Sequence, residues 1–150
     1  MQADAADAAA LTRAAIAELC HADHGGDPDK IAAWCANKTP ESFAAWIAAP
    51  DLLARVATGA KGLIGVLLAT RKGEILLNYV ATAARGRGVT TALLADAERE
   101  LADLGVARAR LVSTVTAREF YLRRGWRADG PEIFEFGMLG IPMAKDLPSP

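Results

Sequence analysis

Tyr79-Val80-Ala81-Thr82-Ala83-Ala84-Arg85-Gly86-Arg87-Gly88-Val89-Thr90-Thr91-Ala92-Leu93-Leu94 is the stretch on which the reading of this chain turns. An apolar run ends at Val80, a glycine pair follows, and helical spacing then begins. Leu93, Leu94, Ala97, Leu101 and Leu104 form one apolar face, predicting a helix from about Val89 to Leu104 with Gly105 as its cap. A helix N-terminus carries unpaired N–H groups and a partial positive charge, so a strand, glycine turn and helix in succession suit an anion. Gly86 and Gly88 permit close backbone approach, and Arg85 and Arg87 add charge. The bland alternative is a tight turn with two solvated arginines. A dinucleotide site fits worse. Gly86-x-Gly88-x-x-Thr91 lacks the third glycine, and five residues separate Val80 from Gly86. No Gly-Lys-Ser/Thr follows, so the Walker pattern is absent.

Moving outward, Leu52–Ala57, Leu63–Ala69 and Glu74–Val80 read as strands joined by Thr58–Gly62 and Arg71–Gly73. Short glycine-containing connections favour antiparallel hairpins. Three helices are predicted ahead of them. The first runs from about Ala5 to Cys20, with Leu11, Ala14, Ile16, Leu19 and Cys20 as its apolar stripe. The others start at Asp27-Pro28 and Thr39-Pro40, each a cap residue followed by proline. Beyond the long helix come a strand at Ala109–Ser113, a short helix at Thr116–Arg124, and strand-like pieces at Ile133–Phe136 and Ile141–Lys145. The expected fold is α/β (α+β): a mixed, mostly antiparallel sheet flanked by helices, as one domain over residues 1–150.

Composition narrows the function. Of the 150 residues, 52% are hydrophobic and 23% charged, with a net charge of −1, a globular balance that argues against non-specific nucleic-acid binding. No apolar run approaches the roughly 20 residues of a membrane span. Met1 to Ala10 carry no export signal, which points to the cytoplasm and to reduced Cys20 and Cys35. His21 and His24, three apart beside Asp23 and Asp27, lack a further strong ligand set and read as a solvated loop, so no metal is expected.

Two blocks resemble the GNAT superfamily of N-acetyltransferases. Arg85-Gly-Arg-Gly88-Val-Thr90 is similar to the family's Arg/Gln-x-x-Gly-x-Gly/Ala acetyl-CoA loop, with Thr90 departing from the usual small residue. Ala117-Arg-Glu-Phe120-Tyr121-Leu-Arg-Arg-Gly125-Trp126 is similar to its Ala-x-x-Phe-Tyr-x-x-x-Gly-Phe signature, and Thr114 stands where many members have Asn. The similarity in element order runs from about residue 5 to the end. The family usually opens with a β-strand before its first helix, and this chain begins almost directly in that helix: either the strand is missing or the start is placed late. An absent first strand would expose a sheet edge and leaves a homodimer open.

The resemblance implies an acetyl-CoA-dependent N-acetyltransferase acting by direct attack in a ternary complex. A non-catalytic acetyl-CoA sensor is the alternative. Backbone N–H of Val80 is the implied carbonyl donor, with Ala81 and Thr82 beside the pantetheine. Arg85, Gly86, Arg87, Gly88, Val89, Thr90 and Thr91 would hold the pyrophosphate, and Thr114 would bond the pantetheine arm. Tyr121 is the implied general acid; its alternative is a buried aromatic. Glu74 resembles, by its placing eleven residues before Arg85, the base of histone-acetylating relatives, with ordered water or a solvated turn as alternatives. Alternation puts Glu74, Leu76, Asn78 and Val80 on one strand face. Asn78 and Trp34 are candidates for the acceptor side, although each is equally a structural residue. The acceptor would be a small-molecule amine or a peptide N-terminus.

Overall fold

A computed structural model describes residues 4–149. Four helices lead: α1 (Ala5–Leu19), the short α2 (His21–His24), α3 (Pro28–Cys35) and α4 (Pro40–Ala48). The meander β1 (Leu52–Gly59), β2 (Gly62–Thr70) and β3 (Ile75–Val80) follows, then a 3-10 turn at Thr82–Ala84 and α5 (Val89–Asp103). The chain ends with β4 (Arg108–Ser113), α6 (Arg118–Leu122), β5 (Arg127–Ala128), β6 (Ile133–Glu135) and β7 (Met138–Asp146).

The proline-started helices form for the reason their sequence gives. Asp27 Oδ1 accepts from Asp29 N at 2.9 Å, and Thr39 Oγ1 accepts from Ser42 N at 3.1 Å. Each cap satisfies one of the donors that a helix start leaves free. The His21–His24 segment departs from the expected solvated loop. It is a helical turn in which His24 is 2% exposed, its Nε2 2.8 Å from Ile16 O and its Nδ1 accepting from Gly26 N. Both ring nitrogens are thereby engaged in structural bonds. Ala14, expected on the buried stripe of α1, is exposed, while Ala8, Ala15 and Ile16 are buried.

Two sheets make the frame. One has the order β1-β2-β3 and the other β4-β7-β5, with β6 paired to β7 and all strand ladders antiparallel. No strand precedes α1 among the described residues, so β1 is an outer strand. Alternation along β2 divides the core. Leu67 and Ala69 pack with Leu93, Leu94 and Leu101 of α5, while Val66 and Leu68 pack with Ala8 and Leu11 of α1 and Phe43 of α4.

Beyond the expected strands lies β5, two residues that pair Arg127 and Ala128 with Ala144 and Met143. Phe136, expected in a strand, sits with Gly137 in the two-residue connection between β6 and β7. Both have positive φ, 54° and 73°, as a tight hairpin turn requires.

Candidate active site

The two sheets touch at one end only. Glu74 and Arg110 form a parallel bridge, and Arg110 N donates to Gly73 O at 2.8 Å. Beyond that bridge β3 and β4 part company. Two openings flank the gap and share Tyr79 in their walls: a groove of about 580 Å³ toward α5 and α6, and a cavity of about 320 Å³ toward α3 and β6.

Register decides which backbone groups face the gap. Ala81 N donates to Ile64 O at 2.8 Å, and Val80 stands opposite Gly65. In an antiparallel ladder, alternate residues direct their N–H and C=O away from the partner. The N–H of Val80 therefore points away from β2, toward the splay. A thioester carbonyl or a pantetheine amide presented there meets an unused strand edge. Ala81 does not share this geometry, because its N–H is spent on Ile64. Thr82 begins the 3-10 turn and donates from Oγ1 to Glu18 Oε2 at 2.5 Å. Both line a separate hollow beside α1.

The glycine turn ends the groove. Gly88 takes φ 77° as the N-cap of α5, a conformation an L side chain resists, and it supplies no side-chain cap. No acidic residue occupies the first turn, so the N–H groups of Val89, Thr90 and Thr91 await an acceptor. Arg85 N and Arg87 N, by contrast, bond to Thr82 O and Ala84 O. These two residues thus have no spare backbone donor. Arg85 lines the groove, as do Gly86, Gly88, Val89, Thr90 and Thr91, but Arg87 does not. The helix is brought close by Gly65: a Cβ there would lie 2.6 Å from Val89 Cγ1 and 3.0 Å from Leu93 Cδ1.

The opposite wall is α6. Tyr121 is 7% exposed, edge-on to Phe120 at 5.1 Å and to Trp126 at 5.8 Å. Burial pushes its phenol pKa up, and the neighbouring Asn78 amide partly opposes this. Such a phenol keeps its proton through neutral pH. Asn78 lines the groove and not the cavity, and its buried Oδ1 has no hydrogen-bond partner. An orphaned acceptor in a groove wall is a place for a ligand donor. Thr114 falls on the other side. It lines the cavity, and its Oγ1 accepts from Ala117 N at 3.0 Å.

Glu74 lies outside β3 and is exposed. The expected face shared by Glu74, Leu76, Asn78 and Val80 does not form. Leu68 stands opposite Leu77 and Ala69 opposite Ile75, so Leu76 is the extra residue of a bulge. Ile75 consequently joins the α5 side of the core and Leu77 the α1 side. Glu74 lines the cavity with Trp34, while Tyr121 and Asn78 line the groove.

Sequence reasoning missed two supports. Arg124 donates to Thr91 Oγ1 through Nε at 3.0 Å and Nη2 at 2.7 Å. It also donates to Phe120 O at 2.8 Å and stacks 3.7 Å from the Phe120 ring centroid, tying α6 to the start of α5. Asp23 accepts from Val115 N at 2.6 Å, from Thr116 N at 3.2 Å and from the Thr116 hydroxyl. It fixes the loop leading into α6 from 92 residues away in sequence. Nothing in local spacing marks either contact.

An open strand edge, a bare helix N-terminus beside Arg85, Arg123 and Arg124, and a buried phenol suit a long pyrophosphate-bearing thioester, the chemistry of an acyl-CoA transferase. The acetyltransferase (GNAT) domain family matches residues 10–147, and the chain belongs to that family. Its structure resembles a GCN5-related N-acetyltransferase from Rhodopseudomonas palustris at 26% identity and a TM-score of 0.87, covering 98% of this chain and 92% of that one. It also resembles the PaiA N-acetyltransferase from Thermoplasma acidophilum, solved with coenzyme A, at 19% identity and a TM-score of 0.81, over 97% and 94% of the two chains. An aminoglycoside 6'-N-acetyltransferase, also solved with coenzyme A, aligns at 17% identity and a TM-score of 0.66, over 92% of each chain. No relative of curated function matches the sequence. The protein is an acetyltransferase of this family. Among the described residues no helix is long and apolar enough to cross a membrane, and no group of three or more His, Cys, Asp or Glu is placed to hold a metal ion.

Proposed function

We propose that the enzyme, as one domain, transfers the acetyl group directly to a primary amine of a small molecule or a peptide N-terminus, both substrates being bound together. The observation that carries this reading is the unpaired edge of β3 between groove and cavity. Donor and acceptor then approach the same residue, Tyr79, from opposite sides, the donor reaching Asn78 and Val80 as well. Val80 N–H polarises the thioester carbonyl, and the α5 amides with Arg85 hold the pyrophosphate. The amine nitrogen forms a bond to the carbonyl carbon as the carbon–sulfur bond breaks. Tyr121 gives its proton to the departing sulfur, and the resulting phenolate takes the second proton shed by the nitrogen as it becomes an amide. A coenzyme A thiol, by analogy with cysteine, has a pKa of about 8.5, below that of tyrosine, so a raised phenol donates only as the thiolate develops. Glu74, exposed on the cavity wall, draws in the ammonium and takes its proton through solvent. Thr114 acts as the cap of the loop before α6, and Trp34 as a wall of the acceptor cavity. The outer position of β1 supports pairing with a second copy of the chain.

Calorimetric titration of acetyl-CoA tests the donor site. The parent protein should bind and Arg85→Glu, at an exposed position, should fold normally and lose binding. Equal affinity in the two proteins refutes the pyrophosphate assignment.

A further inference from the structure

The cavity on the far side of Tyr79 contains a charge without a counter-charge. Lys38 follows α3 and is 7% exposed, which is rare for lysine without an ionic partner. Its Nζ donates to the neutral Asn37 Oδ1 at 2.6 Å, and among the described residues it forms no salt bridge. Its backbone is pinned. Lys38 N donates to Cys35 O at 2.9 Å, and Arg13 Nη1 donates to Cys35 O at 2.9 Å and to Lys38 O at 3.5 Å. Burial pushes the Lys38 pKa down, which registers the cost of leaving this cation without an anion.

Three carboxylates line the same cavity, and none serves Lys38. Asp23 is spent on Val115 and Thr116. Glu74 and Glu135 are exposed. The remaining wall is largely apolar, with Trp34, Leu77, Ile133, Met138 and Leu139. A buried unpaired cation, exposed acids and apolar walls together describe a complement to a zwitterion with an apolar body.

We infer that Lys38 binds the carboxylate of the acceptor, and that the acceptor is therefore an apolar amino acid and not a simple amine or polyamine. Glu74 and Glu135 attract its ammonium group, and the apolar wall takes its side chain. This rests on the reading of the cavity as the acceptor site.

The test uses the full-length enzyme with acetyl-CoA and three matched probes: L-leucine, L-leucinamide and 3-methylbutylamine, with methionine and phenylalanine and their amides beside them. Coenzyme A release is the readout. The carboxylate form should be preferred about 10- to 100-fold in kcat/KM, the range for a hydrogen bond to a charged group. Lys38→Met, of similar volume, should abolish that preference mainly by raising KM, while acetyl-CoA affinity and the thermal melt hold. Lys38→Arg should retain part of it. Equal rates for acids and amides, preference for the carboxylate-free amines, no turnover of any amino acid in the panel, or a preference that survives in Lys38→Met would each overturn the inference while acetyl-CoA still binds. Failure of the parent to bind acetyl-CoA would overturn the transferase site itself, and this inference with it.

Discussion

Replacing Tyr121 by Phe removes one oxygen and leaves the ring. The ring contacts with Phe120 and Trp126, at 5.1 and 5.8 Å, do not depend on the hydroxyl. The Asn78 amide, whose Oδ1 already has no partner, loses only its one contact with the phenol oxygen. Stability should change by no more than about 1 kcal/mol, the net worth of an ordinary hydrogen bond. Catalysis is affected differently. A positioned general acid contributes about 10²- to 10⁴-fold, or about 2.7–5.5 kcal/mol of barrier. Tyr121→Phe should therefore lower kcat by that factor while acetyl-CoA affinity, which the proposal assigns to the α5 amides, is kept. The pH profile carries the sign. Burial raises the phenol pKa above its ordinary value of 10.0, and an acid must hold its proton to act. The parent should lose no activity through this group until the pH exceeds 10, and the variant should lack that alkaline limb. Steady-state kinetics from pH 6 to 11 and a thermal melt decide the matter. A kcat within a few-fold of the parent, with the melt unchanged, would refute the acid role and leave Tyr121 as a core aromatic.

Gly65→Ala places a Cβ 2.6 Å from Val89 Cγ1, so the first turn of α5 must move; we expect a loss of about 1–3 kcal/mol in denaturant unfolding and weaker acetyl-CoA binding. Gly88→Ala forces an L side chain to φ 77°, at a cost of about 1–2 kcal/mol, although a Cβ there would meet nothing within 4 Å. An unchanged melt for that variant would mean the turn adopts another conformation. Burial, and then the Asp23 charge, raise the Cys20 thiol from 9.0 to about 12. The unfolded thiol ionises first, so this stabilisation is complete below pH 9 and is lost as the pH rises from 9 toward 12. Melts across that range should show a shallower alkaline decline in Cys20→Ala, and equal slopes would contradict the assignment.

Much of this architecture was legible one segment at a time. Asp27-Pro28 and Thr39-Pro40 marked helix starts because cap and proline act within a single turn. The glycine pair before Val89 marked an uncapped helix start for the same local reason. Alternation misled at β3, since the bulge at Leu76 is set by pairing with Leu68 and Ala69 and has no mark in β3 itself. His24 read as solvated because a buried imidazole depends on Ile16 O and Gly26 N, partners supplied by folding. The splay of β3 from β4, the direction of the Val80 N–H, the Arg124 clamp on Thr91 and the isolation of Lys38 all require segments distant in sequence to meet. Sequence alone determined the elements and the family likeness, because these depend on neighbours along the chain. Tertiary structure decided which residues line the groove and which the cavity, because strand register and long-range hydrogen bonds assign each side chain its side of the gap.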